Sequence, residues 1–166
     1  AKEGLSFNRA ILFNKEGNSL SGMRAVGPLN YEEANRKWQQ IKTCPIDIFL
    51  EKSNTSAIES MEPLEKLTKE SALQIVEDPV ISEIIFTKKH MVLDFKNSNF
   101  SIDNKKTLSK FNLKKFIMAP LISYDNCLGV VIIDNAFDNK YFSEERILSL
   151  LNVTSQTSLV VNNLLL

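Results

Sequence analysis

Two apolar runs separated by three turn residues constrain this chain more than any other feature. Phe116 to Ser123 and Cys127 to Asn135 flank Tyr124-Asp125-Asn126, the arrangement of a β-hairpin. Both runs are apolar at nearly every position instead of every second one, so both faces of the hairpin must be covered. A long helix follows and covers one face. Segments from the middle of the chain must cover the other, and a small-molecule cavity is expected beneath them.

At 166 residues the chain fits one domain with one core, and no Pro/Gly/Ser-rich linker divides it. Its 20 basic and 20 acidic residues cancel, which removes the broad attraction that nucleic acid or anionic lipid requires. The longest wholly apolar stretches, Phe116 to Ile122 and Cys127 to Ile133, are too short to span a bilayer, so no membrane insertion is expected. Cys44 and Cys127 are far apart and belong to no CxxC pair, which argues against a disulfide framework or a zinc site and favours the cytoplasm. The start at Ala1-Lys2-Glu3-Gly4 and the end on Leu164-Leu165-Leu166 read as cut boundaries, so residues 1–166 are expected to be one domain of a longer multidomain protein.

Along the chain, Phe7 to Asn14 and Ser19 to Val26 form a first antiparallel hairpin about the turn cluster Asn14 to Asn18. Asn30 with Glu33 has capping-box spacing, and Tyr31, Ala34, Trp38 and Ile41 share the face of the helix that follows, until Thr43 and Pro45. Residues Ile46 to Glu77 are irregular, with short helices expected; Ser56 and Glu59 repeat the capping spacing, but Pro63 ends or kinks a helix begun there. Asp78-Pro79 is a helix start, with Ile81, Ile84 and Ile85 on one face and Lys88-Lys89 at the end. Met91 to Phe95 reads as a strand, Lys96 to Lys106 as a polar loop, and Thr107 to Asn112 as a helical turn.

This order, and particular residues in it, resembles a GAF domain. The resemblance rests on Gly4 to Ala10 before the first strand, Ala25-Val26-Gly27-Pro28, Glu32 to Trp38, Ala119-Pro120-Leu121, and Gly129 to Asn135. It extends to Phe142-Ser143-Glu144-Glu145 and the small-residue ending from Gln156 to Leu164. It is similar to the GAF domains of bacterial sensor histidine kinases and related signalling proteins. What the resemblance implies is an α+β, profilin-like fold: an antiparallel sheet of five to six strands, terminal helices on one face, and helices and loops over a cavity on the other. It also implies that a helix preceding the first strand is truncated here.

The candidate ligand-binding residues are Trp38, His90, Asp94, Phe116, Met118 and Asp134. His90 is the single histidine, which excludes a two-histidine metal site, and it follows two lysines at a helix end where a cation is favoured anyway. If it faces the cavity, Asp94 supplies a second polar group. Asp134 ends an apolar strand, where burial without a partner would be costly. Trp38, Phe116 and Met118 read more readily as core than as a ligand platform. Neither cysteine precedes a histidine, which disfavours the pigment attachment of bilin-carrying relatives, and haem through His90 has no supporting context. Asn139-Lys140 with Phe142 departs in spacing from the cyclic-GMP-binding pattern. No metal or cofactor is expected, and the ligand is an unknown small molecule. The lysine doublets 105–106 and 114–115 read as solvated, and no catalytic constellation is found.

The expected function is therefore a sensor, not an enzyme. A small molecule in the cavity shifts the terminal helices, and these act on an output domain of the same chain, first a histidine kinase. Ile147, Leu150, Leu151, Thr154, Ser158, Val161 and Leu165 lie near one seam of the last helix, with Leu148, Leu159 and Leu166 off it. This surplus predicts a homodimer through the terminal helices. One alternative is a ligand-free dimerisation module whose core is filled by Phe49, Phe86, Phe95 and Phe111. The other is reduction of free methionine sulfoxide through cysteine, which Cys127→Ser would abolish.

Overall fold

The computed structural model describes residues 7–43, 62–137 and 142–165, with the side chains of 40–43, 157 and 159–165 left aside. The expectations on Ile41, Cys44, Phe49, the Ser56 and Glu59 pair, Asn139-Lys140 and the seam beyond Ser158 lie outside the described residues.

The elements run β1 (Arg9–Glu16), β2 (Ser19–Val26), α1 (Tyr31–Thr43), α2 (Pro63–Lys69), β3 (Ala72–Gln74) and α3 (Pro79–Thr87). They continue with β4 (Met91–Asp94), α4 (Ile102–Ser109), β5 (Lys115–Ser123), β6 (Asn126–Asp134) and α5 (Glu144–Leu165). The strands form one antiparallel sheet in the order β3-β2-β1-β6-β5-β4, so the fold is α+β and the late hairpin lies inside the sheet.

Alternation along the strands divides the core into two layers. Ile11, Phe13, Phe116, Met118, Val130 and Ile132 face α2, α3 and α4, packing against Leu64, Ile81, Ile84, Leu108 and Phe111. Ile117, Ala119, Leu121, Val131 and Ile133 face the other way, onto Ile147, Leu150 and Leu151 of α5. Thus both faces of the hairpin are covered, as its near-continuous hydrophobicity requires. The α5 seam continues through Thr154 and Ser158, at 7% and 0% exposure.

The β5–β6 turn is tighter than its sequence suggests. Tyr124 and Asp125 both take positive φ, 46° and 66°, as a two-residue hairpin loop demands, and Asn126 belongs to β6. Likewise β1 runs on through Glu16, and the turn is Gly17-Asn18. Two glycines mark close backbone approaches. A Cβ on Gly129 would lie 2.1 Å from the Phe13 carbonyl oxygen, and one on Gly22 would lie 1.7 Å from that of Thr68, where α2 settles on β2.

Several expectations are corrected. Leu73 does not join a helix but the three-residue strand β3, which pairs with β2 at Ser19 to Ser21. Pro63 occupies the first turn of α2, where no N–H is needed, while the segment from Ser56 that it is expected to end lies outside the described residues. The polar stretch before Thr107 is already helical from Ile102, capped by Ser101, whose Oγ accepts from Asn104 N at 3.3 Å. Phe86 fills no core, being 88% exposed, whereas Phe111 is fully buried. On α1, Ala34 and Glu33 are buried, while Tyr31 and Trp38 lie at the surface with their rings edge-on, 6.4 Å apart.

Candidate functional site

At the end of β6 the strand carries one carboxylate into the core, and β1 supplies the cation that satisfies it. Arg9 and Asp134 are register partners across β1 and β6, and their side chains are 1% and 0% exposed. Arg9 Nε donates to both carboxylate oxygens at 2.9 and 3.2 Å, and Nη2 donates to Oδ2. This two-pronged geometry suits the planar guanidinium. Nη1 donates to the carbonyls of Leu29, at 3.1 Å, and Phe111, at 2.7 Å. One side chain therefore ties β1 to the end of β6, to the β2–α1 connection and to the α4–β5 connection.

Around this pair the polar groups continue. Asn8 N donates to Asn135 Oδ1 at 3.2 Å, and Phe137 N donates to Asn8 Oδ1 at 3.0 Å, which binds the segment leaving β6 back onto the start of β1. The Phe137 ring lies 5.3 Å from the Arg9 guanidinium carbon and 6.4 Å from Tyr31, which in turn meets Trp38. An aromatic row thus leads from the surface of α1 to the buried pair.

On the other side of the β2–α1 connection is a capping box. Asn30 Oδ1 accepts from Glu33 N at 2.8 Å, and Glu33 Oε2 accepts from Leu29 N at 2.9 Å. Glu33, with Asn30, Glu32, Asn35, Arg36 and Pro63, lines an open concavity of about 430 Å³ between α1 and the start of α2. Lys37 joins the two helices, with Nζ 2.6 Å from Glu62 and 3.4 Å from Glu33. Glu33 is thus bonded to the same residue, Leu29, whose carbonyl Arg9 holds.

The structure places the six candidate residues in three groups. Phe116, Met118 and Asp134 come together on the layer beneath α2 to α4. Phe116 is opposite Asp134 and stacks on Phe100 at 6.2 Å, and Met118 is opposite Ile132. These three are at most 1% exposed. Trp38 is joined to Asp134 by the ring row and Arg9. His90 and Asp94 bracket β4; Asp94 Oδ1 accepts from Lys96 N at 3.0 Å and shapes a turn. Sequence reasoning selected Asp134 but missed Arg9, whose signal is a lone charge in the mostly apolar run from Phe7 to Phe13.

A second buried acid, Asp78, caps α3. Its Oδ1 accepts from Val80 N and Ile81 N at 3.0 and 2.9 Å, and its Oδ2 accepts from Ser101 N and Asn104 Nδ2, both at 2.8 Å. Asn104 also exchanges two bonds with the backbone of Gln74 on β3, at 2.8 and 2.7 Å. Elsewhere, burial pushes the Cys127 thiol up despite the nearby lysines 15 and 88, and its Sγ donates to the Gly129 carbonyl at 3.2 Å. It is therefore held as a thiol at neutral pH. Among the described residues no three His, Cys, Asp or Glu side chains are placed to hold a metal ion, and no helix is long and apolar enough to cross a membrane.

No protein-family model matches the sequence, and no curated protein matches it. Solved structures do match. The GAF domain/HD domain protein from Geobacter sulfurreducens has a TM-score of 0.63 at 17% identity, over 97% of this chain and 84% of that one. The GAF domain of a two-component sensor histidine kinase from Bacillus halodurans has a TM-score of 0.57 at 14% identity, over 95% and 83%. The blue-light absorbing form of the PixJ GAF domain from Thermosynechococcus elongatus has a TM-score of 0.59 at 13% identity, over 96% and 77%.

Proposed function

This chain folds as a GAF-like domain, and from that premise we propose that it is a sensory or regulatory module of a bacterial signalling protein. It binds a small molecule and passes the change through α5 to an output domain, for which a histidine kinase is the first choice. The observation that carries this reading is the continuous set of bonds from the concavity to the end of β6, the strand that precedes α5 in the chain. It runs from Glu33 to Leu29, from Leu29 to Arg9, from Arg9 to Asp134, and so to the end of β6. The concavity is open to solvent, and its charged and polar lining suits a polar ligand. Coupling of about 1–3 kcal/mol between the site and the helix is enough for a sensor.

The reading is non-enzymatic. Cys127 is protonated and bonded to a backbone carbonyl, the wrong state for the thiolate that methionine sulfoxide reduction needs. It also includes a homodimer through the terminal helices, for which Leu148, 62% exposed on α5, is a candidate contact.

A second reading, the ligand-free interaction module, is favoured by one observation: Phe13, Phe100, Phe111 and Phe116 pack the layer beneath α2 to α4, each at most 6% exposed. Native mass spectrometry of the purified chain, with thermal shift against nucleotides and small carboxylic acids, separates the two. A co-purified ligand, or a rise of about 5–10 °C at a hundredfold excess over Kd, is expected, and Arg36→Ala should weaken it. No bound mass and no shift across the panel would leave the filled module in place of the sensor.

A further inference from the structure

The open edge of the sheet at β4 sits in the most positively charged stretch of the chain. Residues 88 to 115 hold eight lysines against two carboxylates, although the whole sequence is neutral. Of the two carboxylates, Asp94 is occupied with its own turn. Lys88 approaches Asp125 at 3.9 Å, and Lys89, Lys96, Lys114 and Lys115 are exposed without an ion pair among the described residues. Lys88 and Lys89 precede β4, Lys96 follows it, and Asp94 is the register partner of Lys115, so the charges stand at both ends of the edge.

Among the described residues no strand pairs with the outer side of that edge. Phe95 N donates to Lys114 O at 2.7 Å, and N–H and C=O groups of an antiparallel strand alternate sides. Leu93 and Met91 therefore pair with β5, and Val92 turns its N–H and C=O outward. The Val92 side chain is 53% exposed. Sheet edges are commonly blunted by shortness, a charge, a proline or a bulge; Met91–Asp94 is short and ends on Asp94, whose carbonyl accepts from Asn97 and Ser98, but it holds no lysine, proline or bulge. The lysines flank the edge, and among the described residues the outward groups of Val92 have no partner.

We propose that the β4 edge takes up an extended acidic segment of a partner protein as an added strand. Its backbone pairs with Val92, an apolar side chain lies on Val92, and its carboxylates reach the lysines at either end. Main-chain pairing supplies affinity in such additions, and the flanking charges select the sequence. An acidic peptide satisfies the outward N–H and C=O and the lysines together, whereas a nucleic acid would meet the lysines and leave the strand unpaired. This interaction is independent of the small-molecule reading.

The test is fluorescence anisotropy with a labelled, end-capped peptide of alternating glutamate and valine. A serine and valine peptide and a single-stranded oligothymidine serve as comparisons. The acidic peptide should bind at least tenfold more tightly than either, and weaken at least tenfold from low to high salt. Val92→Pro removes an outward N–H that makes no bond within the sheet, and should reduce binding at least tenfold while the thermal transition is kept. Lys89→Glu with Lys96→Glu should do the same, and decides the matter if the proline variant does not fold. Failure of the acidic peptide to bind, undiminished binding by either folded variant, or tighter binding of the oligothymidine would overturn the proposal.

Discussion

Asp134→Ala will lower the stability of this chain by about 3–5 kcal/mol, because it leaves the Arg9 guanidinium buried without its counter-charge. For a domain of this size the thermal midpoint should fall by about 6–20 °C. Arg9→Met should cost as much, stranding the carboxylate instead. The informative protein is the double variant Arg9→Met/Asp134→Leu. Replacing a whole buried ion pair with apolar residues of similar volume is commonly neutral or stabilising. Here the Leu29 and Phe111 carbonyls also lose their donor, so the double variant should lie within about 2 kcal/mol of the parent. Urea unfolding of the four proteins gives the coupling energy directly. Additive losses would show that the two side chains do not act as a pair.

Asp78→Ala should be comparably damaging, at about 3–5 kcal/mol, for a different reason. Four donors lose one acceptor group: the two first-turn amides of α3, the amide of Ser101, and the side chain of Asn104. Each hydrogen bond to a charged group contributes about 1.5–3 kcal/mol, and bonds in one network do not add fully. Asp78→Asn is the sharper test. Its amide nitrogen must oppose donors in either orientation, so this near-isosteric change should still cost about 2–3 kcal/mol. A neutral Asp78→Asn would mean that the carboxylate does not accept on both oxygens. Because Asn104 passes the same network on to Gln74, loss of Asp78 should also loosen β3 at its edge of the sheet.

What could be read from the sequence was what short-range chemistry determines. Runs apolar at nearly every position gave away the central hairpin, and Asn30 and Asp78 announced two helices through side chains that bond amides two or three residues on. The α5 seam through Ile147, Leu150, Leu151 and Thr154 followed from its period. β3 escaped because three residues are too few to show alternation, and its pairing with β2 and its clamp by Asn104 are both distant in sequence. α4 escaped because its inward residues are Asn104 and Leu108 alone; a buried asparagine looks like a loop residue until its three partners are known. Trp38 was assigned to the core by helical spacing, but the adjacent buried positions are Glu33 and Ala34, held by the capping box. At the candidate site the carboxylate was visible, since a polar residue ending an apolar strand needs a partner. Its partner lies 125 residues away, beyond any local pattern.

The signal path proposed above runs through the buried pair at the end of β6, the strand that precedes α5 in the chain. Amide hydrogen exchange in the double variant Arg9→Met/Asp134→Leu tests this without needing a ligand. The prediction is that β1, β5 and β6 keep the parent's protection while residues 144–151 of α5 exchange at least tenfold faster. Equal protection of α5 in the two proteins would contradict the link, and with it the path proposed for the signal.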